Sequence, residues 1–163
     1  MHIFVAAVTA PPGPTMHLTL HTDYAMRLLM FLGLNPERRC TIEEIAQHYG
    51  VSRNHLMKVA LTLTQQGFVE SLRGRNGGLR LGKPPAGIGV GAVVRATEDN
   101  FDLVECFDAK SNTCPIASAC LLQQPFAEAV RAFIAVLDRY TLADLLANPK
   151  ILKSMRRLLD LRD

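Results

Sequence analysis

The sequence predicts a mainly α-helical fold with one small β-hairpin: a winged helix-turn-helix followed by a long C-terminal dimerisation helix. Three observations predict it. Two well-capped amphipathic segments meet at the tight turn Gly50-Val51-Ser52. Directly after Gly67 the apolar period drops from 3.6 to 2 around a glycine-rich basic stretch. Towards the other end, apolar residues recur at helical spacing from Leu122 to Leu137.

Residues 1–15 contain Pro11, Pro12 and Pro14 and no basic leader region, so they are expected to be a disordered extension, with the working chain beginning near Met16. A helix is expected from about Thr22 to Leu34, capped by Thr22 or Asp23, with Ala25, Leu28, Leu29 and Leu32 on its apolar face and Asn35-Pro36 as its stop. Thr41 and Glu44 have capping-box spacing at the head of the next helix, which buries Ile42, Ile45, Ala46 and Tyr49 and closes at Gly50. Ser52 then caps a third helix with Leu56, Val59, Ala60 and Leu63 as its core stripe.

The alternating segments Phe68–Leu72 and Leu79–Leu81 flank Arg73-Gly74-Arg75-Asn76-Gly77-Gly78, which reads as a hairpin with a basic tip. A short helix is expected over Ile88–Thr97. A loop follows over Asp102–Ala119, then a long helix from about Ala119 whose Pro125 kinks it or marks its first turn. Thr141 and Asp144 open a last short helix. The expected organisation is an extension at 1–15, a winged helix-turn-helix at 16–95, and a cysteine-loop and dimerisation region at 96–163.

Net charge is only +3, but it is unevenly placed. Residues 1–95 carry ten Lys/Arg against five acids, and residues 96–163 carry eight against ten. A basic front half suits double-stranded DNA. Major-groove readout uses the start of the second helix of the motif, which places Ser52, Arg53, Asn54, His55 and Lys58 at the bases or phosphates. On the wing, Arg75 and Asn76 are placed for a minor groove, and Arg73, Arg80 and Lys83 for phosphates. The same pattern is compatible with a solvated basic face on a protein-binding winged helix, and His48 reads as a surface residue. No apolar run is long enough to span a membrane, and no catalytic triad, Walker loop or GxGxxG pattern appears, so an enzyme is not expected.

Four cysteines are present, and Cys106, Cys114 and Cys120 fall within fifteen residues while Cys40 stands alone. The spacing Cys106-x7-Cys114-x5-Cys120 lacks the close pairs of structural zinc sites. Three soft thiolates, one followed directly by Pro115, fit an iron-sulfur cluster better. A thiol redox switch or an incomplete zinc site remains open at this point.

These features resemble the NsrR and IscR regulators, the family often written Rrf-two, and among them the nitric-oxide-sensing NsrR type. The likeness is carried by His21-Thr22-Asp23-Tyr24-Ala25-Met26-Arg27, Gly50-Val51-Ser52-Arg53-Asn54-His55, Arg73–Leu81, the three-cysteine loop and Tyr140–Leu145. It spans Met16 to about Leu146. The resemblance implies a cytoplasmic, homodimeric repressor on a pseudo-palindromic operator, with a 4Fe-4S cluster on Cys106, Cys114 and Cys120. It also implies a fourth ligand at Asp23, supplied by the partner subunit, and release from DNA on reaction with nitric oxide. IscR-like members place a histidine where this chain has Gln123, which separates it from them. A 2Fe-2S or iron-status regulator and a cluster-free thiol sensor are the alternatives.

Overall fold

The protein is described by a computed structural model over residues 17–74 and 77–161. The expected extension at 1–15 and the wing-tip residues Arg75 and Asn76 lie outside the described residues.

Helix α1 spans Leu20–Leu34 and begins earlier than expected. Its cap is Thr19, whose hydroxyl accepts from Thr22 N at 3.3 Å. Neither Thr22 nor Asp23 caps it. Thr22 instead turns inward, fully buried, with its hydroxyl hydrogen-bonded to that of Thr97 at 2.8 Å. Thr19 supplies the same kind of acceptor one turn earlier, which frees Thr22 to close a buried polar pair. The expected apolar face is realised, since Ala25, Leu28, Leu29 and Leu32 join Phe31 in the core.

Helix α2 (Ile42–Tyr49) has both arms of its capping box: Thr41 Oγ1 accepts from Glu44 N at 3.1 Å, and Glu44 accepts from Thr41 N at 3.4 Å. Gly50 ends it at φ +62°, a conformation open to glycine at little cost. Both Glu44 oxygens also accept from the Arg38 guanidinium, at 3.0 and 2.5 Å. That hydrogen bond is the main reason the Glu44 pKa lies below its ordinary value. A carboxylate with a lowered folded-state pKa stabilises the fold above its ordinary value near 4.5, and this stability is lost as pH falls through the lower folded value. Glu44→Gln is therefore expected to cost about 1 kcal/mol or less at pH 7. Urea unfolding should show wild type and variant converging as the pH is taken well below 4.

Helix α3 (Arg53–Gln65) crosses α1 and completes the helix-turn-helix, with Leu56, Val59, Ala60 and Leu63 buried as expected. Strands β1 (Val69–Leu72) and β2 (Gly78–Leu81) pair antiparallel, with Glu70 opposite Arg80. Cys40 adds a bridge to the free edge of β2 through paired hydrogen bonds with Leu79 of 2.9 and 2.8 Å. Gly78 sits at φ +143° beneath this contact, where a Cβ would come within 3.0 Å of the Cys40 carbonyl oxygen. Cys40 is fully buried, and burial pushes its thiol up to about 11. It is a packing residue.

A single 3-10 turn, Pro85–Gly87, leads into α4 (Val90–Thr97), whose Val93, Val94 and Thr97 are buried beside α1. The long helix α5 (Gln123–Leu137) starts four residues later than expected. Pro125 lies in its first turn, where the missing N–H costs no helical hydrogen bond. None of its residues is buried within this chain. At its end, Asp138 accepts from Arg95 of α4 at 2.6 and 3.2 Å.

The chain then rejoins the core. Gly89 and Thr141 form an antiparallel bridge, Leu142 N donates to Ile88 O at 2.8 Å, and Leu142 is fully buried. Helix α6 (Leu142–Leu145) carries the expected Thr141/Asp144 capping box. It is not the last helix, because α7 follows over Pro149–Leu158. Asn148 caps α7 and Pro149 occupies its first position, a start signal that reading the chain as ending at α6 passes over. Arg156 ties α7 to the end of α1 by donating to Leu34 O at 2.7 Å.

Candidate DNA-reading face and cysteine loop

On α3 the apolar stripe faces α1, which leaves the opposite side open. Ser52, Arg53, Asn54 and Lys58 are brought together there, all exposed. Ser52 Oγ is engaged as the cap, accepting from His55 N at 3.4 Å. Arg53 Nε lies 3.0 Å from Glu43 of α2. His55 is held differently. Its half-buried ring meets the Tyr24 ring edge-on at 4.9 Å and lies 6.1 Å from that of His21. His21 in turn lies 3.2 Å from Thr62 Oγ1, and burial, reinforced by His55, lowers its pKa. His55 thus braces α3 against α1 while its ring stays half-exposed at the start of α3.

Two residues of the same open face escape a reading that looks only for polar side chains. Met57 and Leu61 are 45% and 59% exposed, and they follow Arg53 at four-residue steps, off the core stripe. Apolar groups at such places suit thymine methyls. On the wing, Arg73 is exposed, Arg80 pairs with Glu70 at 2.6 Å, and the Lys83 ammonium sits 5.0 Å over the Phe68 ring. Arg75 and Asn76 are outside the described residues.

The three loop cysteines are half-buried and none is in a disulfide. Cys106 lies in the 3-10 turn Glu105–Phe107, Cys114 N donates to Asn112 Oδ1 at 3.0 Å, and Cys120 stands just ahead of α5. The loop is braced by carboxylates: Glu105 accepts from Thr113 N, and Asp108 accepts from Lys110 N and Ser111 Oγ at 2.9 and 2.8 Å. Cys106 and Cys120 line one cavity of about 560 Å3 with Asp102, Phe107, Leu121 and Gln123, and Cys114 is not part of its lining. Among the described residues no three His, Cys, Asp or Glu side chains are close enough to hold a metal ion. In kind, though, the donor set fits an iron-sulfur group: three free thiols on one loop with no competing histidine.

Asp23, in the first turn of α1, pairs with Arg27 at 2.7 Å. Arg27 is itself stacked near Tyr24 and Tyr49, with its guanidinium carbon 5.7 and 5.9 Å from the ring centres. A second, more apolar cavity of about 420 Å3 opens between α5 and the stretch before the loop, lined by Leu18, Phe101, Leu103, Phe126, Val130 and Phe133 among others.

Comparison with known proteins agrees with this layout. The solved structure of CymR (YrzC), the global cysteine regulator of B. subtilis, superposes with a TM-score of 0.61 at 27% identity, covering 82% of this chain and 98% of that one. The HTH-type transcriptional regulator NsrR of Bacillus subtilis (strain 168) is 48% identical over 88% of this chain and 99% of its own length. NsrR of Geobacillus kaustophilus (strain HTA426) is 49% identical over 86% and 96%. The model of the Rrf2 family, described as iron-dependent transcriptional regulators, matches residues 18–148. A winged helix-turn-helix with an open polar face on α3, matched along nearly its whole described length by such proteins, makes this chain a member of the Rrf2 family of transcriptional regulators and not an enzyme.

Proposed function

We propose that the chain is a homodimeric, cytoplasmic repressor whose hold on a pseudo-palindromic operator is set by an iron-sulfur cluster that reacts with nitric oxide. The observation that carries this reading is the trio of free, half-buried cysteines on one loop, in a chain of an iron-dependent family with NsrR relatives at 48–49% identity. Residues 16–95 read DNA in this proposal, and residues 96–163 hold the cluster and pair the subunits.

Cys106, Cys114 and Cys120 hold the group, with Asp23 of the partner subunit as the fourth ligand. Held there, a 4Fe-4S cluster would supply iron able to react with nitric oxide. The protein's own part is positional. The loop has to draw Cys114 in beside Cys106 and Cys120, and Asp23 has to leave Arg27. The half-buried apolar side chains of α5 (Phe126, Val130, Phe133 and Ile134) then pack across the two-fold axis. Because Asp23 shares a helical turn with Tyr24, which touches His55 on α3, ligation biases the position of the DNA-reading helix. On that helix Arg53 and Asn54 read bases, Met57 and Leu61 supply apolar contact, and Ser52 and Lys58 meet phosphate. Arg73, Arg80 and Lys83 hold the backbone beside the wing, whose tip residues Arg75 and Asn76 enter a minor groove. No helix among the described residues is long and apolar enough to cross a membrane.

The test is anaerobic purification followed by iron, sulfide and absorption measurements, then a nitric oxide titration read by operator binding. About four irons per protomer, bleached as DNA is released, is the expected result. About two irons indicates a 2Fe-2S or iron-status regulator. An iron-free protein that still binds DNA indicates a thiol sensor.

A further inference from the structure

Two of the arginines on the DNA-facing surface already hold an anion of the protein's own. Arg53, in the first turn of α3, pairs with Glu43 at 3.0 Å, and Arg80, in the middle of β2, pairs with Glu70 at 2.6 and 2.7 Å. All four side chains are more than half exposed, so neither pair is locked in the core. Both carboxylates are placed by the fold. Glu43 lies in the first turn of α2, where the helix N-terminus favours negative charge, and its other oxygen accepts from Gln47 Nε2 at 3.3 Å. Glu70 is the direct cross-strand partner of Arg80. By contrast, Lys58 and Arg73, on the same surface, make no ion pair among the described residues.

We propose that Glu43 and Glu70 are built-in competitors for DNA, attenuators that hold Arg53 and Arg80 back from the polyanion. The proposal rests on the assignment of these two arginines to DNA given above. A guanidinium cannot serve a carboxylate and an approaching phosphate equally. When Arg53 leaves Glu43, the freed carboxylate stays close to the polyanion and repels it. A duplex of arbitrary sequence offers Arg53 nothing beyond phosphate in return. A guanine at the right step offers two aligned acceptors, which offset the lost pair. The carboxylate therefore lowers affinity wherever Arg53 is drawn onto DNA, and in full at a site where Arg53 engages a base. Arg80 meets phosphate on any sequence, so Glu70 lowers affinity for all DNA alike.

The experiment uses the full chain with two labelled probes: a duplex recovered by selection from a random-sequence pool, and the same duplex scrambled. Both are titrated across a salt series. Glu43→Gln, which keeps the acceptor for Gln47, is expected to tighten both duplexes about 2- to 5-fold, the selected one at least as much as the scrambled one. Glu70→Gln is expected to tighten both by a similar factor. Unchanged or weaker binding of the selected duplex by Glu43→Gln, with an unaltered melting temperature, overturns its role as a competitor. Arg53→Ala separates the two layers of the argument. If it leaves both probes unaffected, the DNA assignment of Arg53 itself is wrong; if it weakens binding while Glu43→Gln does nothing, only the competition idea falls.

Discussion

Serine in place of Cys106, Cys114 and Cys120 together is expected to give a folded protein that carries no iron and does not hold its operator under anaerobic conditions. A serine hydroxyl is a hard, weakly acidic donor that does not replace a thiolate on iron. The three side chains lie outside the buried core, whose cysteine is Cys40. Substitutions at such positions shift stability by only about 0.5 kcal/mol, so the melting temperature should stay near that of wild type stripped of its iron. Cys40→Ser should do the reverse, costing stability because a hydroxyl is then buried at 0% exposure beside β2, while iron content is retained. Iron and sulfide analysis alongside thermal unfolding checks both. Iron retained at full stoichiometry in the triple variant removes the cysteines from the ligand set.

A loss of similar reach is expected on the other face. Arg53→Ala and Asn54→Ala should each weaken binding to the selected operator by about 1–3 kcal/mol, because each removes a bidentate contact to a base. Asn54→Ala should scarcely alter binding to a scrambled duplex. Lys58→Ala should weaken both probes evenly and make the salt dependence shallower by about one unit of slope. Fluorescence anisotropy at several salt concentrations reads all of this. An operator-to-scrambled ratio untouched by Asn54→Ala places the base-reading residues elsewhere.

Local chemistry made most of the fold legible. Thr41 with Glu44, Gly50, and Ser52 each specify a helix end through bonds made within four residues, and all three are found where their types require. The hairpin was equally plain, because alternation and glycine both act locally. What escaped was decided at longer range or hidden by a rival signal. Thr19 and Thr22 are both competent caps, and only the buried partner Thr97, far along the chain, assigns Thr22 to the interior. His55 stands where a base reader is expected, and no local signal announces that its ring also meets Tyr24 of another helix. The loop bearing the cysteines has no periodicity from which to infer its path. Carboxylate braces from Glu105 and Asp108 shape it, and nothing in the spacing of Cys106, Cys114 and Cys120 says that the outer two face one cavity without the middle one.

The bridge between Gly89 and Thr141 has a consequence for how such a protein can diversify. Everything between Gly89 and Thr141, with α4, the cysteine loop and α5, departs from and returns to one spot on the scaffold, as an insert does. Lengthening or exchanging a segment whose two ends are already neighbours carries an entropy cost that grows only with the logarithm of its length. The scaffold therefore tolerates a longer or shorter excursion between these two points, provided Val93, Val94 and Thr97 of α4 keep their places beside α1.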